Sequence, residues 1–166
     1  MARNAVLLAI FTVLTAAAAG DEDCFSPPPP QPLPFSHKKH AATGLRCTEC
    51  HAMEKPGYSA GLPSTATCMA CHITIKKEST PIHRLAAYDK QHKPVPWEPV
   101  YRLPDYVEFS HAEHVKKGKV ECQTCHGLVQ ERDVTCRETD LAMAACIDCH
   151  RTRGVPVGCG SCHDPR

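Results

Sequence analysis

The sequence predicts a mostly irregular fold with short α-helices, divided into two modules. The pattern Cys-x-x-Cys-His occurs five times in a chain of 166 residues. Fifteen prolines interrupt any long periodic pattern, so helices should be short. Phe, Trp and Tyr together make only 5% of the residues. A small, cysteine-dense chain with so few large side chains needs staples or cofactors to hold its fold.

The five Cys-x-x-Cys-His units are attachment signatures of c-type haem. Two thiols add across the porphyrin vinyl groups, and the adjacent histidine lies under the iron as proximal ligand. Zinc ribbons explain paired Cys-x-x-Cys units, but they give no reason for a histidine after every second cysteine. We therefore expect five covalently bound haem c groups. The attaching cysteines are Cys47, Cys50, Cys68, Cys71, Cys122, Cys125, Cys146, Cys149, Cys159 and Cys162, and the proximal histidines are His51, His72, His126, His150 and His163.

Residues 1–19 are typical of a secretory signal peptide. Arg3 supplies the charged start, an apolar stretch follows, and small residues lead to a cleavage position after Ala19. The apolar run falls short of the roughly 20 residues that a membrane span needs. The alternative is an uncleaved segment that associates the chain with the membrane. We expect a periplasmic protein, or one on the outer face of the cytoplasmic membrane.

Residues 20–34 are predicted to form a proline-rich spacer. Six prolines lie between Phe25 and Pro34, which favours a stiff, extended conformation outside any packed core. This spacer would hold the haem-binding part away from whatever the N-terminus contacts. Two cysteines remain, Cys24 and Cys136. They could pair in an oxidising compartment, but the position of Cys24 ahead of the stiff spacer favours an unpaired cysteine.

An internal repeat divides the rest of the chain. Phe35-Ser-His-Lys-Lys-His40 matches Phe109-Ser-His-Ala-Glu-His114, and each is followed by a series of Cys-x-x-Cys-His units. This predicts a dihaem module at 35–72, a linker at 73–108 with one helix near 82–90, and a trihaem module at 109–166. The two histidines of each pair are three residues apart. On a helical turn they leave the same face, so they can reach the irons of two neighbouring haems.

Phe-Ser-His-x-x-His followed by closely spaced Cys-x-x-Cys-His units resembles the class III multihaem cytochromes c. Four further segments, at 62–72, 94–97, 100–106 and 134–143, are similar to the pentahaem cytochrome subunit of alternative complex III. That complex is a membrane quinol-oxidising assembly with an iron–sulfur partner. The resemblance covers roughly residues 32–163 and implies a class III-like fold around the five haems.

The class III pattern also implies which residues lie on the distal side of each iron. The first histidine of each pair serves the next haem along the chain, and the second serves the following one. The third haem of a module takes its ligand from just upstream of the second Cys-x-x-Cys-His unit, where this chain has a methionine. The implied distal ligands are His37, His40, His111, His114 and Met143, with His92 or His83 as substitutes for Met143.

The ligand count favours an electron carrier over an enzyme. Ten axial ligands can be found for five irons with two histidines to spare, and no altered unit marks an iron with an open position. The resemblance implies electron transfer between a quinol-oxidising or iron–sulfur membrane partner and a periplasmic acceptor. The alternatives are a multihaem reductase with one open haem site and a subunit of an extracellular haem filament. The formal charge of +1 and the lack of a basic run give no support for nucleic-acid binding.

Overall fold

A computed structural model describes residues 24–164 of the chain, and the predicted signal peptide lies outside this range. The polypeptide is mostly irregular with short helices, as predicted. The six α-helices are α1 (His37–Ala41), α2 (Cys47–Cys50), α3 (Thr65–His72), α4 (Thr80–Lys90), α5 (Gln123–His126) and α6 (Met143–Thr152). A π-helical turn spans Ala112–Lys117, and two 3₁₀ turns span Val129–Glu131 and Cys159–Ser161.

The linker helix predicted near 82–90 is confirmed as α4. It begins slightly earlier, at Thr80, with a proline in its first turn, where the missing N–H costs nothing. At 11 residues α4 is the longest helix described. None of the helices within residues 24–164 has the length and apolar character that a membrane span requires.

The main hydrophobic cluster joins the spacer, the linker and the first module. Leu33, Leu85 and Val95 are each less than 10% exposed and form its centre. Helix α3 packs along α4, which brings Cys68 and Met69 against this cluster. The linker is therefore part of the packed structure around the second Cys-x-x-Cys-His unit.

The prediction that the proline-rich segment stands outside the core is wrong. Leu33 is buried at its end, and the side chain of Gln31 hydrogen-bonds both the N–H and the C=O of Glu98. An extended segment makes few hydrogen bonds within itself, so it can lie along a neighbouring surface and be held there by hydrogen bonds from its side chains. The segment is a strap across the domain.

The expectation of an unpaired Cys24 is also wrong. Cys24 forms a disulfide with Cys136, with their Cα atoms 5.7 Å apart. Beside it, the N–H of Phe25 donates to the C=O of Arg137 at 2.7 Å. The strap is thus held at both ends, because its start is bonded to the second module and its end is buried beside the linker.

Candidate haem-binding site

The Phe-Ser-His-x-x-His motif of the first module orients its two imidazoles through contacts within the motif itself. The Ser36 hydroxyl caps α1 by accepting from the N–H of Lys39 at 3.1 Å. The ring of Phe35 stacks on His40 at 4.4 Å between centroids and meets His37 edge-on at 4.8 Å. Cap and aromatic ring together fix the directions of both histidines.

The second copy of the motif repeats this geometry closely. Phe109 stacks on His114 at 4.4 Å and meets His111 edge-on at 4.8 Å. The Ser110 hydroxyl accepts from the N–H of Glu113 at 3.3 Å. The backbone that follows is a π-helical turn, so the aromatic and serine positions preserve the histidine geometry despite a different helix type.

Hydrogen bonds at Nδ1 are present in eight of the nine predicted histidine ligands and absent from the two remaining histidines of the described chain. A ligand histidine usually donates its second ring nitrogen to an oxygen, which fixes the tautomer and leaves the other nitrogen for the metal. Eight predicted histidines have an oxygen 2.7 to 3.2 Å from Nδ1, which leaves Nε2 free. They are His37, His40, His51, His72, His111, His114, His150 and His163. Within residues 24–164, the rings of His83 and His92 have no such bond.

Three of the predicted axial pairs have ring centroids at the spacing expected across a haem iron. Two metal–imidazole bonds of about 2 Å, plus the distance from each nitrogen to its ring centre, give about 6 Å between ring centroids. The observed centroid distances are 6.1, 6.2 and 6.0 Å, for the pairs His40–His72, His111–His126 and His114–His150. These three distances agree with the prediction of a histidine on each side of one iron.

The fourth predicted pair is His37 and His51. Burial lowers the pKa of His37, and the neighbouring charges of His51 and then His40 lower it further. The Nδ1 atom of His37 is hydrogen-bonded to the Thr135 hydroxyl at 2.8 Å. Its ring is thus kept neutral, which is the protonation state that binds a metal.

His126 is the predicted ligand whose ring lacks an Nδ1 bond within the described chain. Tyr101 packs edge-on against this ring at 4.6 Å and donates its hydroxyl proton to the His126 carbonyl. The same hydroxyl accepts from the N–H of Glu138. Burial lowers the pKa of His126, followed by the charges of His111 and His51. Aromatic packing and a tethered backbone position this imidazole.

A buried carboxylate supports the turn that follows His126. Glu138 accepts from the N–H of Leu128 at 3.0 Å and from Nε of Arg132 at 2.8 Å. Gly127 has a φ of +70°, and a Cβ there would lie 2.6 Å from the Glu138 Cβ. Only glycine fits, because the carboxylate needs the space that a side chain would occupy.

For the predicted fifth haem, the contacts of the described residues identify no histidine opposite His163. Nδ1 of His163 donates to the Tyr106 carbonyl at 3.2 Å. No other described histidine makes a ring contact with His163. Met143 begins α6 and is 65% exposed on the polypeptide, which is unlike a gap-filling core methionine. Its thioether is therefore accessible to a cofactor.

The structure also identifies supporting residues that the sequence reasoning missed. Phe35, Ser36, Phe109 and Ser110 recur at equal positions in the two repeats, so that repetition was a usable signal. The acceptors Thr135, Tyr58 and Gly61 had no such signal, because each lies far along the chain from the histidine or outside any motif.

Comparison with known proteins agrees with this geometry. Residues 16–96 match the model of the class III cytochrome c family. The mostly irregular polypeptide with short helices agrees with the fold that a match to this family implies. Proteins of this family are electron carriers with covalently bound haem c, which agrees with the prediction of a carrier.

A stretch of 98 residues is 42% identical to a protein from Nitratidesulfovibrio vulgaris named as the multihaem cytochrome c subunit of menaquinone reductase. The matched region covers 58% of this chain and 45% of that protein. The chain thus matches less than half the length of this curated relative.

Proposed function

We propose that this chain is a pentahaem cytochrome c that carries electrons outside the cytoplasm. The observation that supports it best is the spacing of three histidine pairs at about the 6 Å expected across one iron. Bound haem supplies one-electron redox chemistry. The residues of the chain would hold each iron between two ligands, and Nδ1 bonds orient eight of these ligands.

The number of haems is tested by the intact mass of the exported protein. Five haem increments are expected, together with loss of residues 1–19. A double variant, Cys159→Ala with Cys162→Ala, should lose one increment and serves as the calibration. Four or fewer increments in the unaltered protein would overturn the pentahaem proposal.

The carrier is distinguished from a multihaem reductase by the spin state of the iron. If every iron has two protein ligands, the oxidised protein is low-spin throughout and does not bind cyanide or nitrite. A stoichiometric high-spin haem in the resting protein would instead favour the reductase. A haem filament would require ligands donated between chains, so its irons would become six-coordinate only on assembly.

The proposed partner is a quinone-linked membrane complex. The resemblance to the alternative complex III subunit supports electron flow from a quinol-oxidising or iron–sulfur partner to a periplasmic acceptor. The name of the Nitratidesulfovibrio vulgaris relative supports a second candidate, the opposite flow toward menaquinone. The two are separated by mixing the protein with membranes of its source and recording the haem spectrum. Quinol addition should reduce the haems in the first case, and quinone addition should oxidise prereduced haems in the second.

We further assign Met143 as the distal ligand of the fifth haem. Met143 lies one helical turn before Cys146, and the Cys146 thiol lies close to Cys162 of the fifth unit. A thioether donates less electron density than imidazole, so this iron should have the highest potential of the five. The oxidised protein should show a near-infrared charge-transfer band for one haem. Met143→His should abolish that band and lower the highest potential.

The matched controls are His83→Ala and His92→Ala. Both should leave the band and the highest potential unchanged, since neither ring has the Nδ1 bond that eight of the nine predicted histidine ligands make. If Met143→His changes nothing and His92→Ala does, the ligand assignment moves to His92.

A further inference from the structure

Within each module, the histidine pair makes two haems neighbours. His37 and His40 lie on one helical turn, so the haems of the first and second units must approach each other there. The thiols agree, because Cys50 and Cys68 lie close enough to interact electrostatically. In the second module, the Cys125 thiol of the third unit is likewise close to the thiols of Cys149 and Cys146 in the fourth unit.

At the junction between the modules, each side orients a histidine of the other. His37 of the first module is hydrogen-bonded through Nδ1 to the hydroxyl of Thr135, which follows the third unit. His111 of the second module donates through Nδ1 to the carbonyl of Tyr58, which follows the first unit, at 2.8 Å. The exchange is reciprocal and involves the distal ligands of the first and third haems.

Backbone contacts reinforce the same junction. Lys38 in α1 donates its N–H to the carbonyl of Arg132 at 3.0 Å, and α1 packs on the 3₁₀ turn at 129–131. From the other side, Ala112 donates its N–H to the carbonyl of Gly57 at 3.0 Å. The turn that carries His37 therefore packs on the second module, and the turn that carries His111 packs on the first module. The first and third sites lie between these two turns.

Side chains of the two sites also lie close together. Burial raises the pKa of the Cys122 thiol, and the neighbouring Cys47 thiol raises it further. His51 and His126, the two proximal ligands, lie within electrostatic range. Each of these four residues belongs to the first or the third unit, so the two attachment sites are adjacent in space.

The fifth site follows the fourth. The thiols of Cys146 and Cys162 interact electrostatically. The N–H of Glu108 donates to the Cys162 carbonyl at 2.8 Å, and Val107 forms an isolated bridge with His163. The last unit is thereby fastened to the start of the second module, beside the fourth site.

We propose that the haems form one unbranched row in the order second, first, third, fourth, fifth. The haem of His51 and the haem of His126 then meet at the junction between the modules. The haem of His72 and the haem of His163 are the two ends. This inference rests on the proposed five-haem chain, and it differs from the order of the units along the sequence.

The ends of this row are where donor and acceptor proteins would exchange electrons with the chain. At the His72 end, Ile73 and Ile75 are more than half exposed, and the Ile75 carbonyl accepts from Nδ1 of His72 at 3.0 Å. At the other end, Tyr106 is 67% exposed and its carbonyl accepts from His163. Each end therefore presents an exposed apolar side chain directly beside a proximal ligand.

The first test is to locate the irons in the haem-loaded, full-length protein by anomalous diffraction or cryo-electron microscopy. The iron of His51 should have the irons of His72 and His126 as its nearest neighbours. The iron of His163 should have one close neighbour, the iron of His150. A row that passes from the iron of His72 directly to that of His126 would overturn the proposal, while leaving the count of five intact.

The second test uses electron injection at one end. A ruthenium photosensitiser attached at Ile75→Cys should reduce all haems of the otherwise unaltered protein. Removing the first haem with Cys47→Ala and Cys50→Ala should leave only one of the remaining four haems reducible. Removing the fifth haem with Cys159→Ala and Cys162→Ala is the matched control, and all four remaining haems should then be reduced.

Reduction of all four remaining haems in the variant that lacks the first haem would contradict the proposed order, because a row in sequence order would still be continuous. Intact mass confirms four haems in each variant before injection. If the variant without the first haem does not fold, the iron positions decide alone. The two proposals fail separately: the intact mass tests the number of haems, and the iron positions test their order.

Discussion

Gly57 is the position where one methyl group should disturb the junction between the modules. It has a φ of +85°, and a Cβ there would lie less than 3.0 Å from the Cβ of Ala112. Non-bonded carbons need about 3.5 Å or more, so the turn that carries His111 would have to move by at least about 0.5 Å. That movement strains the bond from His111 to the Tyr58 carbonyl.

Gly61, in the same loop, provides the matched control for Gly57→Ala. Its φ is +76°, and nothing lies within 4 Å of a Cβ built there. Gly61→Ala should therefore cost only the backbone strain, about 1–2 kcal/mol. Gly57→Ala carries the same strain plus about 1–3 kcal/mol for overpacking. At about 2–4 °C per kcal/mol for a chain of this size, Gly57→Ala should melt about 2–12 °C below Gly61→Ala.

The haem-loaded variants are compared by thermal unfolding and by electron paramagnetic resonance. Displacement of His111 should give Gly57→Ala a partial high-spin signal from one haem. Gly61→Ala should have none, because a Cβ there meets no other atom and the bond from His51 to the Gly61 carbonyl can stay in place. Equal melting temperatures and equal spectra for the two variants would refute the close contact between Gly57 and the turn at 112–117.

Three further predictions concern the supports of the site. Gly127→Ala should destabilise the protein by more than Gly154→Ala in chemical denaturation. Both glycines have positive φ, but only Gly127 faces Glu138. Equal effects would show that the Glu138 side chain can move aside at little cost. Loss of the Cys24–Cys136 disulfide, by Cys24→Ser, should remove up to about 4–5 kcal/mol of unfolding free energy, as expected for a closed loop of this length. An unchanged denaturation midpoint would mean that the strap adds nothing. Apoprotein made without haem attachment should be disordered by circular dichroism, and a cooperative melting transition would contradict this.

The parts of the site that could be predicted from the sequence are those with local causes. Attachment needs two thiols and a histidine within five residues, so Cys122 to His126 can be interpreted without knowing the fold. The repeat of Phe-Ser-His-x-x-His similarly carries its own cap and its own aromatic packing. The class III pattern then supplied the partners for His40, His111 and His114, and their ring distances in the structure fit those pairings.

The parts that could not be predicted depend on contacts between distant segments. Thr135 lies 98 residues from His37, and Tyr58 lies 53 residues from His111. Nothing in a threonine or a carbonyl group indicates such a partner in advance. The prediction that the proline-rich segment stands outside the core was wrong for a related reason. Proline content determines that the segment is extended, but the bonds of Gln31 and Cys24 determine where it lies.

The reciprocal junction has a consequence for how the site is completed. The two thiols of each unit lie close together in the sequence, so haem can be attached to one unit at a time. The orientation of His37, however, depends on Thr135 in the second module, and that of His111 depends on Tyr58 in the first. Hydrogen bonds to the second ring nitrogen affect metal affinity about 10- to 100-fold. On the proposed ligand assignment, we therefore expect the first and third irons to reach full ligation together, when the modules dock, so that the two modules behave as one cooperative unit.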